Sequence, residues 1–406
     1  MRFTRHVAVA AVVAASALVA VPVAAGAASS TTKASNAPIK IMSILPETSS
    51  NVTPPFPYGA VGAKARAKAV NKGKGLNGHK VEVTVCDTKN DPNQSAACAR
   101  RAVDEGAVAV VGTFDPLGAA QIMPILDQAG VPYVGAIAVV PAEYTAKVSF
   151  QADGGAIASS LGIQAQAIDA GCKTVVGFSP AGAPSALARA VSGNYAKNNV
   201  SYSEVGYTAG QPDLTAVVSE ALAKNPDCVT TGGSPGDNLK LLTTIRRTNQ
   251  DVKYFTNVGS LPPSVLKTAA DAAVEVYAVS SVLLPTSKDP LVKQFRADLK
   301  SYYGSQSKAE EAYNQFAQDG WSGIKLLEEA TAGMPDITRE ALIAKLQTMC
   351  EGVNVGNAYP DAGFCTPLPS AFFTRMFNPW VRYFTVKNGK YVDAQKDWVN
   401  IASYVP

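Results

Sequence analysis

Histidine is almost missing from this 406-residue chain, which holds two, His6 and His79. That scarcity excludes a zinc site of the usual His-rich kind. It also excludes a nucleophile elbow whose histidine base follows the serine, because no histidine lies beyond His79. CxxC, HExxH and P-loop patterns are absent, so no metal centre and no cofactor is expected. Charged residues make up only 17% of the chain. Of the 36 basic side chains, Arg2 and Arg5 lie at the extreme N-terminus, leaving 34 against 32 acidic ones. A nearly neutral chain lacks the basic field that nucleic-acid binding requires, so nucleic acid is not an expected partner. After Val23 no apolar run is long enough to cross a bilayer.

What is present starts with a leader. Arg2 and Arg5, an apolar run from Val7 to Val23 and the small residues Ala25-Gly26-Ala27 read as a secretory signal peptide, residues 1–27, followed by a polar tail, 28–37. The first cysteine is Cys86, so no lipid anchor is expected. Six cysteines in an exported chain predict up to three disulfides. Cys86 ends a strand and Cys98 lies in the next helix; Cys172 and Cys228 each open a strand-like run; Cys350 and Cys365 bracket a Gly/Asn/Pro-rich loop. Spacing alone leaves the connectivity open.

The stretch from Lys80 to Gly112 holds the repeating unit. Lys80–Cys86 alternates valine with polar residues as a strand does, Gln94–Glu105 carries Cys98, Ala99, Ala102 and Val103 at helical spacing, and Ala107–Val111 is a short apolar run suited to a parallel sheet. Such a unit forms a right-handed crossover. The alternation runs from Ile39 to a strand at Pro132–Ile137, then restarts from Ile157 and continues to Leu284. Helices follow at Pro290–Tyr303, Lys308–Thr331 and Ile337–Met349, and a hairpin, Trp380–Lys387 with Lys390–Val392, turns at Asn388-Gly389. The expected class is α/β, two doubly wound lobes with a ligand cleft between them. Late helices packing back on the first lobe would make it 38–153 plus 286–375, and the second 154–285 plus 376–406.

Three stretches carry a resemblance to a known family. They are Asp87-Thr-Lys-Asn-Asp-Pro92 with Val108-Ala-Val-Val-Gly112; Tyr207-Thr-Ala-Gly-Gln-Pro-Asp213 with Asn225-Pro-Asp227-Cys-Val-Thr-Thr-Gly-Gly233; and Val386-Lys-Asn-Gly-Lys390 after Tyr383 and Phe384. The chain resembles type I periplasmic binding proteins of the leucine/isoleucine/valine-binding family, the extracytoplasmic receptors of ABC importers. The resemblance implies a non-enzymatic monomer that closes around a small-molecule ligand and delivers it to an ABC permease in the membrane. It places the chain in the periplasm or the extracellular wall space of a bacterium. A sensing module of the same fold, signalling without transport, is the alternative.

The resemblance also nominates residues. Tyr58 keeps the aromatic that ends the loop after the first strand, and Phe114, Asp115 and Pro116 follow the strand ending at Gly112. Ala138 and Val139 stand where the family has an Ala-Thr pair, removing a hydroxyl that would bind a ligand carboxylate. In the second lobe a ligand-facing tyrosine falls at Ala183, another aromatic position at Ser234 or Pro235, and the acidic acceptor of a ligand ammonium near Val258 or Gly259. A buried ammonium without an acidic acceptor is strongly disfavoured. The expected ligand is therefore a small organic acid or an aromatic or aliphatic compound rather than an α-amino acid. Asp115 and Asp237 are the acidic residues able to reverse that expectation; Asp237 reads first as a helix N-cap, and Asp115 can likewise cap the helix that follows it. Gly232-Gly-Ser234-Pro-Gly236 fits GxSxG by pattern, but with no histidine after it the stretch reads as a strand-to-helix turn.

Overall fold

The computed structural model describes residues 37–49, 55–181, 185–249, 251–351, 353 and 363–406, with the backbone alone for 185–190 and 270. The leader and nearly all of the polar tail lie outside these residues, as does Ala183. Among the described residues no helix is long and apolar enough to cross a membrane.

Two sheets organise the chain. The first joins β1 (Ile39–Leu45), β2 (Val81–Asp87), β3 (Ala109–Val111), β4 (Tyr133–Val134) and β5 (Ser149–Phe150) in the order β2-β1-β3-β4-β5, all parallel. The second contains β6 (Thr174–Pro180), β7 (Ser201–Tyr207), β8 (Cys228–Thr231), β9 (Lys253–Asn257), β10 (Val276–Ser280), β11 (Trp380–Lys387), β12 (Lys390–Asp393) and β13 (Val399–Asn400). Its order is β12-β11-β10-β9-β8-β6-β7, with β11 antiparallel to β10 and β13 beside β11. The turn between β11 and β12 is the two-residue Asn388-Gly389, at φ 51° and 67°, the left-handed pair that a tight hairpin demands.

Strand alternation sends residues into helical layers on both faces of each sheet. From β1, Ile39 and Ile41 face α1 (Tyr58–Lys72), α11 (Gln315–Thr331) and α12 (Arg339–Gln347), while Met42 and Ile44 face α2 (Pro92–Asp104) and α3 (Ala119–Gln128). In the second sheet Val175 faces α4 (Gly155–Asp169) and α5 (Ser185–Lys197). Val176 and Phe178 face α6 (Thr215–Leu222), α7 (Pro235–Thr248) and α8 (Pro263–Ala269). The late helices return to the first sheet: α9 (Pro290–Tyr303), which precedes the short α10 (Gln306–Glu311), places Phe295 and Leu299 with Ala65, Ala317 and Trp321. Buried Arg66 fixes this layer, donating to Asp298 at 3.1 Å, while the Trp321 indole donates to the same carboxylate at 2.8 Å.

Three differences from the sequence reading have local causes. The strand expected over Pro132–Ile137 is only two residues long, because Gly135 adopts a φ of 57° and turns the chain away. β5, which the pattern gave no sign of, is a two-residue partner to β4. The helix expected over Lys308–Thr331 is two helices, because Asn314 leaves the helical conformation and caps α11, its side chain accepting from the Ala317 N–H at 3.0 Å.

Disulfides join Cys86 to Cys98, Cys172 to Cys228 and Cys350 to Cys365. The first ties β2 to α2, and the second ties Cys172, two residues ahead of β6, to the start of β8.

Candidate functional site

In open α/β sheets, ligands bind beyond the carboxyl ends of the strands. Those ends in the first lobe lie beside the starts of α1 and α11, and glycines bring them together. Gly59 near the start of α1, Gly112 after β3 and Gly320 in α11 meet backbone to backbone. A Cβ at Gly112 would lie 2.7 Å from the Gly59 carbonyl oxygen, and one at Gly320 would lie 2.8 Å from the Gly59 carbonyl carbon.

This close approach assembles three phenylalanines from distant stretches. Phe56, just before α1, Phe114, after β3, and Phe316, in the first turn of α11, form a triangle of ring centroids 4.8 Å, 4.8 Å and 5.5 Å apart. All three are half-buried, leaving part of each ring open. Sequence reasoning missed Phe316 because it ran one helix through the Asn314 cap. The signal was there: an asparagine three residues before Ala317, at the head of an apolar-periodic stretch.

The nominated residues take varied positions. Tyr58 packs on the helical layer with Phe295, Ala317 and Trp321 rather than on the phenylalanine trio. Asp115 is fully buried, accepting from the Ser95 hydroxyl at 2.6 Å and the Gly118 N–H at 2.9 Å, and Pro116 lies in the same turn ahead of α3. Ala138 is fully buried, its carbonyl accepting from the Tyr144 hydroxyl at 2.8 Å and the Ala156 N–H at 2.9 Å. The Val139 and Val140 N–H groups donate to Glu143 at 2.6 and 2.9 Å, and the Tyr133 hydroxyl donates to its other oxygen at 2.6 Å. Burial outweighs those donors and pushes the Glu143 carboxyl up to about 7.

In the second lobe Ser234 is the N-cap of α7. Its hydroxyl accepts from the Asp237 N–H at 3.2 Å and donates to the Asp237 carboxylate at 2.9 Å, while Pro235 occupies the first helical position. The Asp237 carboxylate also accepts from the Gly210 N–H, so both of its oxygens are occupied by the protein itself. Val258 is buried against Ala278 and Phe384. At neighbouring Gly259, a Cβ would lie 3.7 Å from the Gln315 side-chain oxygen at the start of α11, so the two lobes approach each other here.

Three short crossings join the lobes and are hydrogen-bonded to one another. The Ser281 hydroxyl donates to Asp153 at 2.6 Å, and the Asn378 amide donates to the Ala152 carbonyl at 2.8 Å. Burial raises the Asp153 carboxyl above its ordinary range. Gln318 of α11 donates to Leu283 in the middle crossing at 3.0 Å. Backbone rotation at these few residues is what lobe closure would require.

The sequence profile of a family described as periplasmic binding protein matches residues 38–358. Among solved structures, a leucine-binding protein LivK from Thermotoga maritima is 19% identical, with a TM-score of 0.72 over 89% of this chain and 99% of that one. A fatty acid ABC transporter substrate-binding protein from Thermomonospora curvata is 14% identical, with a TM-score of 0.74 over 92% and 96%. An ABC transporter solute-binding protein from R. palustris, in complex with 4-hydroxybenzoate, is 18% identical, with a TM-score of 0.71 over 89% and 97%. No curated protein sequence matches the chain.

Proposed function

Since the chain belongs to the periplasmic binding protein family, we propose that it is the extracytoplasmic solute-binding component of an ABC importer, acting as a monomer. Its leader directs export, its lobes close on a small organic molecule, and the closed form docks on a membrane permease. The ligand is an aromatic or aliphatic compound, including a small organic acid, and lacks an ammonium group.

The observation that carries the ligand class is the pairing of an apolar platform with occupied carboxylates. Phe56, Phe114 and Phe316 offer ring surface at the mouth of the first lobe. The two acids that the sequence puts forward, Asp115 and Asp237, are spent on turns and caps. An ammonium buried against this surface would find both of these acids already engaged, whereas a carboxylate finds backbone N–H groups at helix starts. The names of the similar structures, covering leucine, a fatty acid and 4-hydroxybenzoate, support a fold that accepts ligands beyond amino acids.

A thermal-shift panel on the exported form tests this reading, since a ligand that binds only the folded chain raises its melting temperature. Aromatic and short aliphatic compounds should raise it, and leucine, isoleucine and valine should not. An equal rise with those amino acids would overturn the ligand class. Uptake of the matched, labelled ligand should fall in cells lacking the gene; unchanged uptake would favour the sensing role.

A further inference from the structure

The second lobe holds a cavity of about 220 Å³ that the phenylalanine trio and the helix caps leave unexplained. It lies between α4 and α5 on one side and, on the other, the carboxyl halves of β6 and β8 and the first residues of β7. Pro180 and Gly232, at the ends of β6 and β8, bring it to the edge of the sheet that faces the cleft.

The lining is built around two tyrosines. Tyr195 and Tyr202 stack with centroids 4.9 Å apart and planes 20° from parallel. Gly177 makes the space, because a Cβ there would lie 3.1 Å from two atoms of the Tyr202 ring and collide with its hydroxyl. Tyr195 is 1% exposed, and its buried hydroxyl has no hydrogen-bond partner. The Thr230 side chain beside it interacts with it as a hydrogen-bonding group, without closing a hydrogen bond of standard geometry. A buried hydroxyl in that condition has capacity left for a partner from outside the chain.

Charge narrows the identity of that partner. Among the described lining residues there is no lysine, arginine or histidine, so an anion has no counter-charge. The acid present is Glu204, which is exposed to solvent and gives a buried ammonium no desolvated acceptor. What remains is an uncharged group that both donates and accepts.

We propose that this cavity is a subsite of the ligand cleft that receives the uncharged, hydroxyl-bearing end of the ligand, held by Tyr195. The proposal rests on the reading of the cleft as a solute site. A volume of about 220 Å³ suits a single small ring or a short chain, well below a drug-sized pocket.

The test titrates the exported form with benzyl alcohol, benzylamine and benzoate, which share a ring and differ in head-group charge, and follows binding by ligand-observed NMR. Benzyl alcohol should bind, with benzylamine and benzoate each about tenfold weaker, since neither charge has a counter-charge inside the cavity. Tyr195→Phe should weaken benzyl alcohol about fivefold, one hydrogen bond's worth, while leaving the melting temperature unchanged or higher. Ser160→Leu, which fills the cavity from α4, should abolish binding. A purely structural Tyr195 predicts no change in affinity. Wild-type affinity in both variants, equal binding of either charged probe that Ser160→Leu removes, or no binding of benzyl alcohol would overturn the proposal. If a ligand from the thermal-shift panel binds, responds to Phe114→Ala and ignores Tyr195→Phe, the subsite falls and the solute-binding reading stands. If no compound in the panel shifts the melting temperature, that reading itself falls.

Discussion

Gly320→Ala adds one methyl group where two backbones touch. The new Cβ would lie 2.8 Å from the carbonyl carbon of Gly59 and 3.1 Å from its Cα, and would overlap the carbonyl oxygen outright. Carbon atoms rest about 3.5 Å or more apart, so α11 must retreat from α1 by roughly 1 Å. Rotamer changes cannot relieve the clash, because the opposing atoms are backbone. Overpacking of this kind costs about 1–3 kcal/mol, which lowers the melting temperature by roughly 2–10 °C in domains of this size. The same shift carries Phe316 away from Phe56 and Phe114, so ligand affinity should fall together with stability. The matched control is Gly193→Ala, the same chemical change in the exposed interior of α5 with no atom within 4 Å of the new Cβ. Helix propensity alone acts there, and the expected effect is a stabilisation of about 0.5–1 kcal/mol. Paired thermal melts and ligand titrations distinguish the cases. If Gly320→Ala keeps the wild-type melting temperature and affinity, glycine contact is not what assembles the trio.

Further outcomes follow from the same geometry. Glu143 titrates near 7 in the folded chain against 4.5 as its ordinary value, so the folded state holds a proton that the unfolded state has released between those pH values. Its contribution to stability is therefore full below about pH 4.5 and is lost as pH rises through 7, amounting to about 3 kcal/mol. Melts of Glu143→Gln across pH 4.5–8 should show a curve flatter than wild type by this amount; parallel curves would refute the assignment. Replacing Cys172 and Cys228, 56 residues apart, should cost about 4 kcal/mol, against about 3 kcal/mol for Cys86 and Cys98, 12 apart, by loop-closure entropy. Denaturant midpoints of the two double variants check that order. Ser234→Ala should cost about 1 kcal/mol as a lost N-cap, read in the same melts. Wild type and Ser234→Ala should be equally inert toward a nitrophenyl ester, whereas hydrolysis that disappears in the variant would revive the nucleophile.

Much of the architecture was legible because strand and helix periodicities are local. The alternation of Val81, Val83 and Val85, the apolar run at Val108–Val111 and the Asn388-Gly389 turn each specify an element from a handful of residues. Elements too short to carry a period, β4 and β5 above all, were misjudged or missed because pairing with a neighbour defines them. The nominated site residues had a different difficulty. A position beyond a strand end is readable from sequence, but the direction of its side chain is not. Ala138 and Val258 follow strands as expected, yet both are buried. Asp115 and Asp237 look like free acids in sequence and are satisfied caps in the structure.

By itself, then, the sequence determined what depends on composition and short-range pattern: a leader-like N-terminus, cysteines poised for oxidation, two α/β repeats and the scarcity of histidine. Tertiary structure alone decided what depends on contacts between distant segments. Phe56, Phe114 and Phe316 are far apart in the chain and meet only because glycines let α1, β3 and α11 touch. Tyr195 and Tyr202 become a cavity wall only when α5 folds over β7. Such contacts follow from the packing of whole layers, and no local pattern records them.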